Sequence, residues 1–429
     1  MLHKNKHYEV DITAISQTGN GIGKLAEKLI YVPQALPGER VKFKLIKLDK
    51  HKGIGKLIEI KSSASFRIEP ACELAKSCGG CQFQHINYTE QLTIKRNTLE
   101  AILKPKLPIE IISDEKHTYY RNKLQFSFQV KDNKWALGLY KTHSKTVVDT
   151  PHCLTASKEI NYGLTLIRKW LTSADINLPL AHLNIRQGKA NELMIIIICS
   201  QPPGNKLNSL FENLKKEDCI KSIYLNINNQ SDTHNLGLDM TLINGKKAIS
   251  AECLGIQYNI QPGTFTQSHI RMTDKLYLAV IEQVEKTETI WDLYCGIGVL
   301  SQLLAKKVKT VVGVELNDNA IECAKRSSLR NKLTNIQFFA ENVATFLKKT
   351  RDTPDTIIIN PPRNGCEVAV IDTISQTTCN KIIYISCSPK TLSRDLKLFN
   401  KHGFFSDKIT AFDCFPHTSH LETIVTLKR

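Results

Sequence analysis

From Thr289 onward, short apolar runs alternate with helix-like stretches, and this alternation constrains the fold more than any other feature of the chain. The runs Thr289–Leu293, Thr310–Val314, Ile336–Phe339, Thr356–Ile359 and Ile382–Ile385 are punctuated by helical segments such as Val299–Lys306 and Asn319–Leu329. Parallel neighbours need a crossover connection, usually a helix, whereas antiparallel ones are joined by tight turns. The order therefore predicts an α/β, doubly wound and mainly parallel sheet over residues 261–429. Ligands of such sheets bind in the crevice beyond the carboxyl ends of the strands. The residues just after each run are thus the first candidates for chemistry.

Four segments stand at those ends. Asp292-Leu-Tyr-Cys-Gly-Ile-Gly298 follows the first run, and Gly296 and Gly298 allow a tight turn and close approach of a ligand to backbone. The third glycine of the dinucleotide fingerprint is missing, which argues against NAD. Glu315 ends the second run, where an acid accepts hydrogen bonds from a ribose diol. Asp-x-x-x-Gly-x-Gly with that Glu resembles the pattern of S-adenosylmethionine-dependent methyltransferases. Asn360-Pro-Pro-Arg363 closes the fourth run with a rigid turn and a polar group aimed into the crevice. In amino-directed methyltransferases the matching turn ends in an aromatic residue, so Arg363 turns the reading away from exocyclic nitrogen.

Ser386-Cys387-Ser388-Pro389-Lys390 ends the last run and puts a thiol at the crevice. Carbon 5 of uracil is a poor nucleophile until a thiolate adds to carbon 6 and converts the ring to an enolate. The carbon 5 proton must later leave, which demands a nearby base. Glu422, in His420-Leu-Glu422, is the candidate. Read in isolation, Cys387 could be a core thiol and Glu422 a surface carboxylate.

The N-terminal residues 1–61 alternate β-type runs with glycine turns, the pattern of a small barrel, and Lys42 and Lys44 share one face of a strand. The chain carries a formal charge of +17, which points to a polyanionic partner, nucleic acid first. With neither a signal-like N-terminus nor a span-length apolar run, a soluble, cytoplasmic monomer without membrane contact is expected. Residues 62–260 form a central region whose topology the sequence leaves open. It holds Cys72-x5-Cys78-x2-Cys81, and three thiols so close together in a reduced protein favour metal. Paired Cys-x-x-Cys units, usual for zinc, are not completed.

Gly19-Asn-Gly-Ile-Gly23 and Leu36-Pro-Gly-Glu-Arg40 resemble the TRAM domain, an RNA-binding barrel of the oligonucleotide-binding type. The whole chain resembles the RNA 5-methyluridine methyltransferases, in particular their TRAM-bearing, iron–sulfur 23S ribosomal RNA branch. Ser386-Cys-Ser-Pro-Lys-Thr391 and His420-Leu-Glu422 match the nucleophile and base elements, with Ser388 in place of an asparagine. The resemblance implies a class I methyltransferase domain and cofactor contacts from Gln267, Tyr294, Glu315 and Asn342, beside Gly296, Gly298 and Asn360. His269 replaces the usual asparagine of the Gln267 motif, and Asn360 the commoner aspartate. It further implies a [4Fe-4S] cluster on Cys72, Cys78, Cys81 and Cys153, with a structural or RNA-positioning role. RNA contacts are expected from Arg121, Lys42, Lys44 and Arg363. The expected activity is S-adenosylmethionine-dependent methylation of uridine carbon 5 in 23S ribosomal RNA. The alternatives are transfer RNA as substrate, cytidine carbon 5 as target, or a non-catalytic RNA-binding assembly factor.

Overall fold

The computed structural model describes residues 2–229, 236–237 and 239–429. His7–Ile15, Asn20–Leu25, Lys28–Pro33, Arg40–Leu48 and Lys52–Ser62 close into a five-stranded barrel. Val41, Phe43 and Leu45 point into its core while Lys42 and Lys44 alternate outward, as a period of two requires. Side-chain and turn contacts fix the barrel to the adjoining central region. Glu39, fully buried, accepts from Arg67 Nε at 2.5 Å and Nη2 at 2.8 Å. Gly19, at φ +81°, lets its turn press on Phe83, whose ring would lie 2.9 Å from an added Cβ.

The central sheet has seven strands in the order Asp239–Gly245, Ile220–Ile227, Leu193–Cys199, Leu180–Gln187, Lys123–Lys131, Lys134–Tyr140 and Val147–Asp149. Its strand Leu193–Cys199 is buried at every position. One face packs with the helices Lys158–Leu171 and Asn208–Lys215, and the other with Ile249, Ala251 and Ile260. Coverage on both faces explains a run with no alternation.

The C-terminal sheet runs Ile336–Ala340, Thr310–Glu315, Thr289–Leu293, Thr356–Ile359, Lys381–Ser386, Glu422–Lys428, Phe405–Phe412 and Glu110–Ile112. The first five are parallel, with the strand order reversing between Thr289–Leu293 and Thr356–Ile359, and Glu422–Lys428 inserts antiparallel. This is the doubly wound α/β architecture expected.

Two segments that the sequence places in residues 62–260 serve this sheet instead. Helix Tyr88–Leu103 packs on helix Pro389–Lys401, and Glu110–Ile112 adds an edge strand beside Phe405–Phe412. The hairpin of Ile249–Cys253 and Ile256–Ile260 also lies on the C-terminal domain, through Ile297, Val299, Leu303 and Ala320. A three-residue strand has no period to read, and a helix's apolar face does not name its partner. Among the described residues no helix is long and apolar enough to cross a membrane.

Candidate active site

Strand Lys381–Ser386 delivers Cys387 to the end of the sheet, and Pro389 opens helix Pro389–Lys401 directly after it. Proline suits a first helical turn because it lacks an N–H that would go unpaired there. The thiol is thus held between strand and helix. On the neighbouring strand, Thr423 pairs with Ser386, so Glu422 stands one step further at the same sheet end as Cys387. Burial pushes the half-buried Cys387 thiol up, and the facing charge of Glu422 adds to the effect. Glu422 is 4% exposed, and burial raises its carboxyl to about 8, with Arg363 pulling the other way. Glu422 thereby favours the neutral form of the thiol.

Arg363 comes from the turn after Thr356–Ile359, and helix Pro389–Lys401 grips that turn through backbone atoms. Thr391 Oγ1 donates to Arg363 O at 3.2 Å, and Arg394 Nη2 donates to Asn364 O at 2.9 Å and Cys366 O at 3.0 Å. Asp395, fully buried, accepts from Cys366 N at 2.9 Å, Tyr384 Oη at 2.7 Å and Arg394 Nε at 2.7 Å. Thr391 closes the nucleophile element read from the sequence, whereas Arg394, Asp395 and Tyr384 were not among the candidates. The signal for Arg394 and Asp395 was only their proximity to Cys387 along the chain.

The second half of the crevice is lined by Tyr294, Gly296, Gln267 and Asn360, with Asn122, Phe265, Tyr258, Tyr277 and Cys295 around them. Gly298 has φ +70°, and its Cβ would fall 2.6 Å from Phe338; Gly296 has φ +57° with open space above it. Tyr294 shares the left-handed conformation at φ 65°. Open space over Gly296 is where a ligand can approach backbone. The Glu315 carboxylate accepts from Gly296 N at 3.1 Å and Asn317 N at 3.0 Å, leaving lone pairs on both oxygens for a diol. Asn342 is exposed and caps helix Val343–Lys349, its Oδ1 accepting from Ala344 N at 2.9 Å. Of the cofactor candidates, Gln267, Tyr294, Gly296 and Asn360 line this crevice, and Gly298, Glu315 and Asn342 are not part of its lining.

The segment carrying Phe265 and Gln267 is held by the central sheet through its own carbonyls. Arg186 Nη1 donates to Thr264 O at 2.7 Å and Gln261 O at 3.1 Å, Lys123 Nζ donates to Thr266 O, and Asn122 Nδ2 donates to Gln267 O at 3.0 Å. Phe265 and Thr266 line the crevice with Gln267, and their place directly before it in the chain could have marked them. His269, buried, caps helix Ile270–Ile281, its Nδ1 accepting from Met272 N at 3.4 Å. It thereby takes over a capping task that asparagine performs well.

The element that ends in Glu422 is anchored from helix Tyr88–Leu103. Lys95 Nζ donates to Asp413 Oδ1 at 2.6 Å in a fully buried pair, and Tyr88 Oη donates to Asp413 Oδ2 at 2.8 Å. His417 N donates to Gln91 Oε1 at 3.1 Å.

The tRNA (uracil-5-)-methyltransferase family model matches residues 87–429, and a TRAM model matches residues 3–58. The chain belongs to this methyltransferase family. An uncharacterized RNA methyltransferase of Clostridium acetobutylicum is 33% identical over 99% of this chain and 98% of its own. One of Listeria innocua is 32% identical over 100% of this chain and 99% of its own. The fold matches that of the Pyrococcus abyssi tRNA (uracil-54, C5)-methyltransferase, crystallised with S-adenosyl-L-homocysteine, with a TM-score of 0.80 at 24% identity over 98% of this chain and 100% of that one. Family membership makes the protein an RNA methyltransferase that uses S-adenosylmethionine. The barrel is its TRAM domain.

The remaining candidates of this RNA methyltransferase lie away from the crevice. Cys72, Cys78, Cys81 and Cys153 line one cavity with Gln84, Arg121 and His152. Gly79 lets the cysteine loop lie against the central sheet: its N–H donates to Tyr140 O at 2.9 Å, and a Cβ there would meet the same oxygen. Arg121, expected at RNA, lines this cavity, its Nε donating to Tyr120 Oη at 3.4 Å. Among the described residues no group of three or more His, Cys, Asp or Glu side chains, these thiols included, is arranged to hold a metal ion. Lys42 faces Glu9 and Glu59 on the adjoining strands, while Lys44 faces His7 and Lys56. Lys44 therefore sits in the more positive surroundings.

Proposed function

We propose that this methyltransferase acts on carbon 5 of a uridine in structured RNA, 23S ribosomal RNA first, with Cys387 as nucleophile and Glu422 as base. The observation that carries the reading is their placement on adjacent strands at one sheet end, beside the crevice lined by Gln267, Tyr294 and Asn360. The Cys387 thiolate adds to carbon 6, and the electron pair of the 5,6 double bond moves to the carbonyl oxygen. S-adenosylmethionine, when bound, supplies the electrophilic methyl that carbon 5 takes up. Glu422 then removes the carbon 5 proton; the pair left behind rebuilds the double bond and expels the thiolate. A carboxyl near 8 is matched to proton removal at neutral pH. Glu315 would hold the ribose diol, and Gly296 would let the cofactor lie on backbone.

Transfer RNA is the second reading, supported by the family model's description and by the substrate of the Pyrococcus abyssi protein. Mapping 5-methyluridine in both RNA classes from cells with and without the gene decides between them. A missing mark in 23S RNA alone supports the first. Retention of every mark overturns both.

We propose that Cys72, Cys78, Cys81 and Cys153 hold a [4Fe-4S] cluster, as the family resemblance implies; what supports it is that four thiols line one cavity, the number such a cluster takes. Bound there, it would cross-link the cysteine loop to the central sheet. We place the protein in the cytoplasm as a monomer.

A further inference from the structure

We propose that Asn122, from the central sheet, completes the cofactor site, its Oδ1 accepting from the α-ammonium in the methionine portion of S-adenosylmethionine. This rests on the crevice beside Gly296 being the cofactor site and extends that site to a residue outside the methyltransferase sheet.

Asn122 stands directly before strand Lys123–Lys131, and all but one of its hydrogen-bonding groups are engaged. Its N–H donates to Ser268 O at 3.0 Å, its carbonyl accepts from Gln187 N at 2.8 Å, and its Nδ2 donates to Gln267 O at 3.0 Å. The last bond fixes the amide, because turning it over would set oxygen against oxygen. Oδ1 is then left buried without a hydrogen-bond partner among the described residues, on a side chain only 6% exposed. An acceptor buried unpaired is costly, and most buried polar groups have a partner. The side chain lines the crevice with Gln267, Tyr294, Gly296 and Asn360, so a ligand there can supply the missing donor.

The order of the strands says which part of the cofactor does so. Glu315, Gly296, Asn360 and Cys387 stand at or just beyond the ends of neighbouring parallel strands, in that order. With the ribose at Glu315 and the methyl bound for uracil at Cys387, the sulfonium falls between them, and the methionine portion branches off there. Gly296 and Asn360 belong to the crevice lining and Glu315 does not, so the crevice takes what lies beyond the ribose. That portion carries an ammonium and a carboxylate. Only the ammonium donates, and an amide oxygen only accepts. Among the described residues no Asp or Glu lines the crevice, so the ammonium has neutral oxygens to meet.

Calorimetry of the full-length protein with two ligands tests this: S-adenosylmethionine, and 5′-methylthioadenosine, which lacks the amino-acid portion. Asn122→Leu should weaken S-adenosylmethionine about 10–100-fold and leave 5′-methylthioadenosine unchanged. Asn122→Asp keeps the acceptor but loses the Nδ2 bond to Gln267 O, and should bind S-adenosylmethionine at least as tightly as the unaltered protein. Equal losses for both ligands in Asn122→Leu would mean that the amide only braces Gln267, and no loss for either would leave Oδ1 without this ligand; each overturns the proposal. So does a loss in Asn122→Asp as large as in Asn122→Leu. If Asn122→Leu does not fold, Asn122→Ala is read in the same way. Failure of the cofactor site itself looks different, since Glu315→Ala would then leave both ligands bound as before.

Discussion

The chain holds two thiol environments that differ in what faces them. Cys72, Cys78, Cys81 and Cys153 face one another, and burial with mutual charge pushes Cys78 up and Cys81 to about 12. Among the described residues that line their cavity, Arg121 is the charged one. Cys387 stands alone at a strand end with a carboxylate and a guanidinium beside it. Four thiols together invite a ligand that shares their charge, whereas one thiol between an acid and a cation is set up to attack and leave. Neighbours, not the residue type, assign the chemistry.

The sharpest way to break this contrast is Cys387→Ala. RNA methylation should fall by several orders of magnitude while S-adenosylmethionine still binds by calorimetry, because the proposed cofactor residues lie in the other half of the crevice. Normal turnover would move the nucleophile elsewhere.

Glu422→Gln should leave addition possible but slow adduct resolution by about 10²–10⁴-fold, so a covalent protein–RNA band builds up on denaturing gels. In the unaltered enzyme, only the ionised carboxyl removes the proton. With its carboxyl near 8, single-turnover resolution should rise about tenfold per pH unit below that value and level off above it. A flat profile removes Glu422 from this step.

On the other side of the comparison, Cys78→Ser should yield protein without iron or sulfide after anaerobic purification, and with a lowered Tm. Alkylation of Cys387 by iodoacetamide should not change. Stoichiometric zinc in the unaltered protein would sink the cluster.

Two smaller effects probe what supports each half of the active site. Lys95→Met leaves Asp413 buried without its cation, at a cost of about 3–5 kcal/mol in denaturant unfolding. An unchanged midpoint would mean the pair does not anchor the base element. Glu315→Ala should weaken S-adenosylmethionine binding by about 1.5–3 kcal/mol, through lost ribose bonds. Unchanged affinity would show that the cofactor lies elsewhere.

Much of this was legible beforehand, for local reasons. The barrel follows from alternation at Val41, Phe43 and Leu45, and the doubly wound sheet from runs such as Thr356–Ile359, whose bounds the structure reproduces. Gly296 and Gly298 announce a turn that only positive φ permits. Strand ends, glycine turns and periodicity are properties of a few consecutive residues, so sequence carries them. What it could not carry is pairing over distance. The register of Ser386 with Thr423 brings Glu422 beside Cys387, the helix from 88 to 103 crosses over to clamp Asp413, and Asp395 ties Arg363 to the nucleophile's helix. Arg121 reads in sequence as an RNA contact, and that it also lies beside four thiols follows only from tertiary packing. Local sequence was enough for the sheet, the thiol at its edge and the family to which they belong. Which charges face that thiol was settled in the folded chain alone, because electrostatic neighbours are chosen by long-range packing rather than by position along the chain.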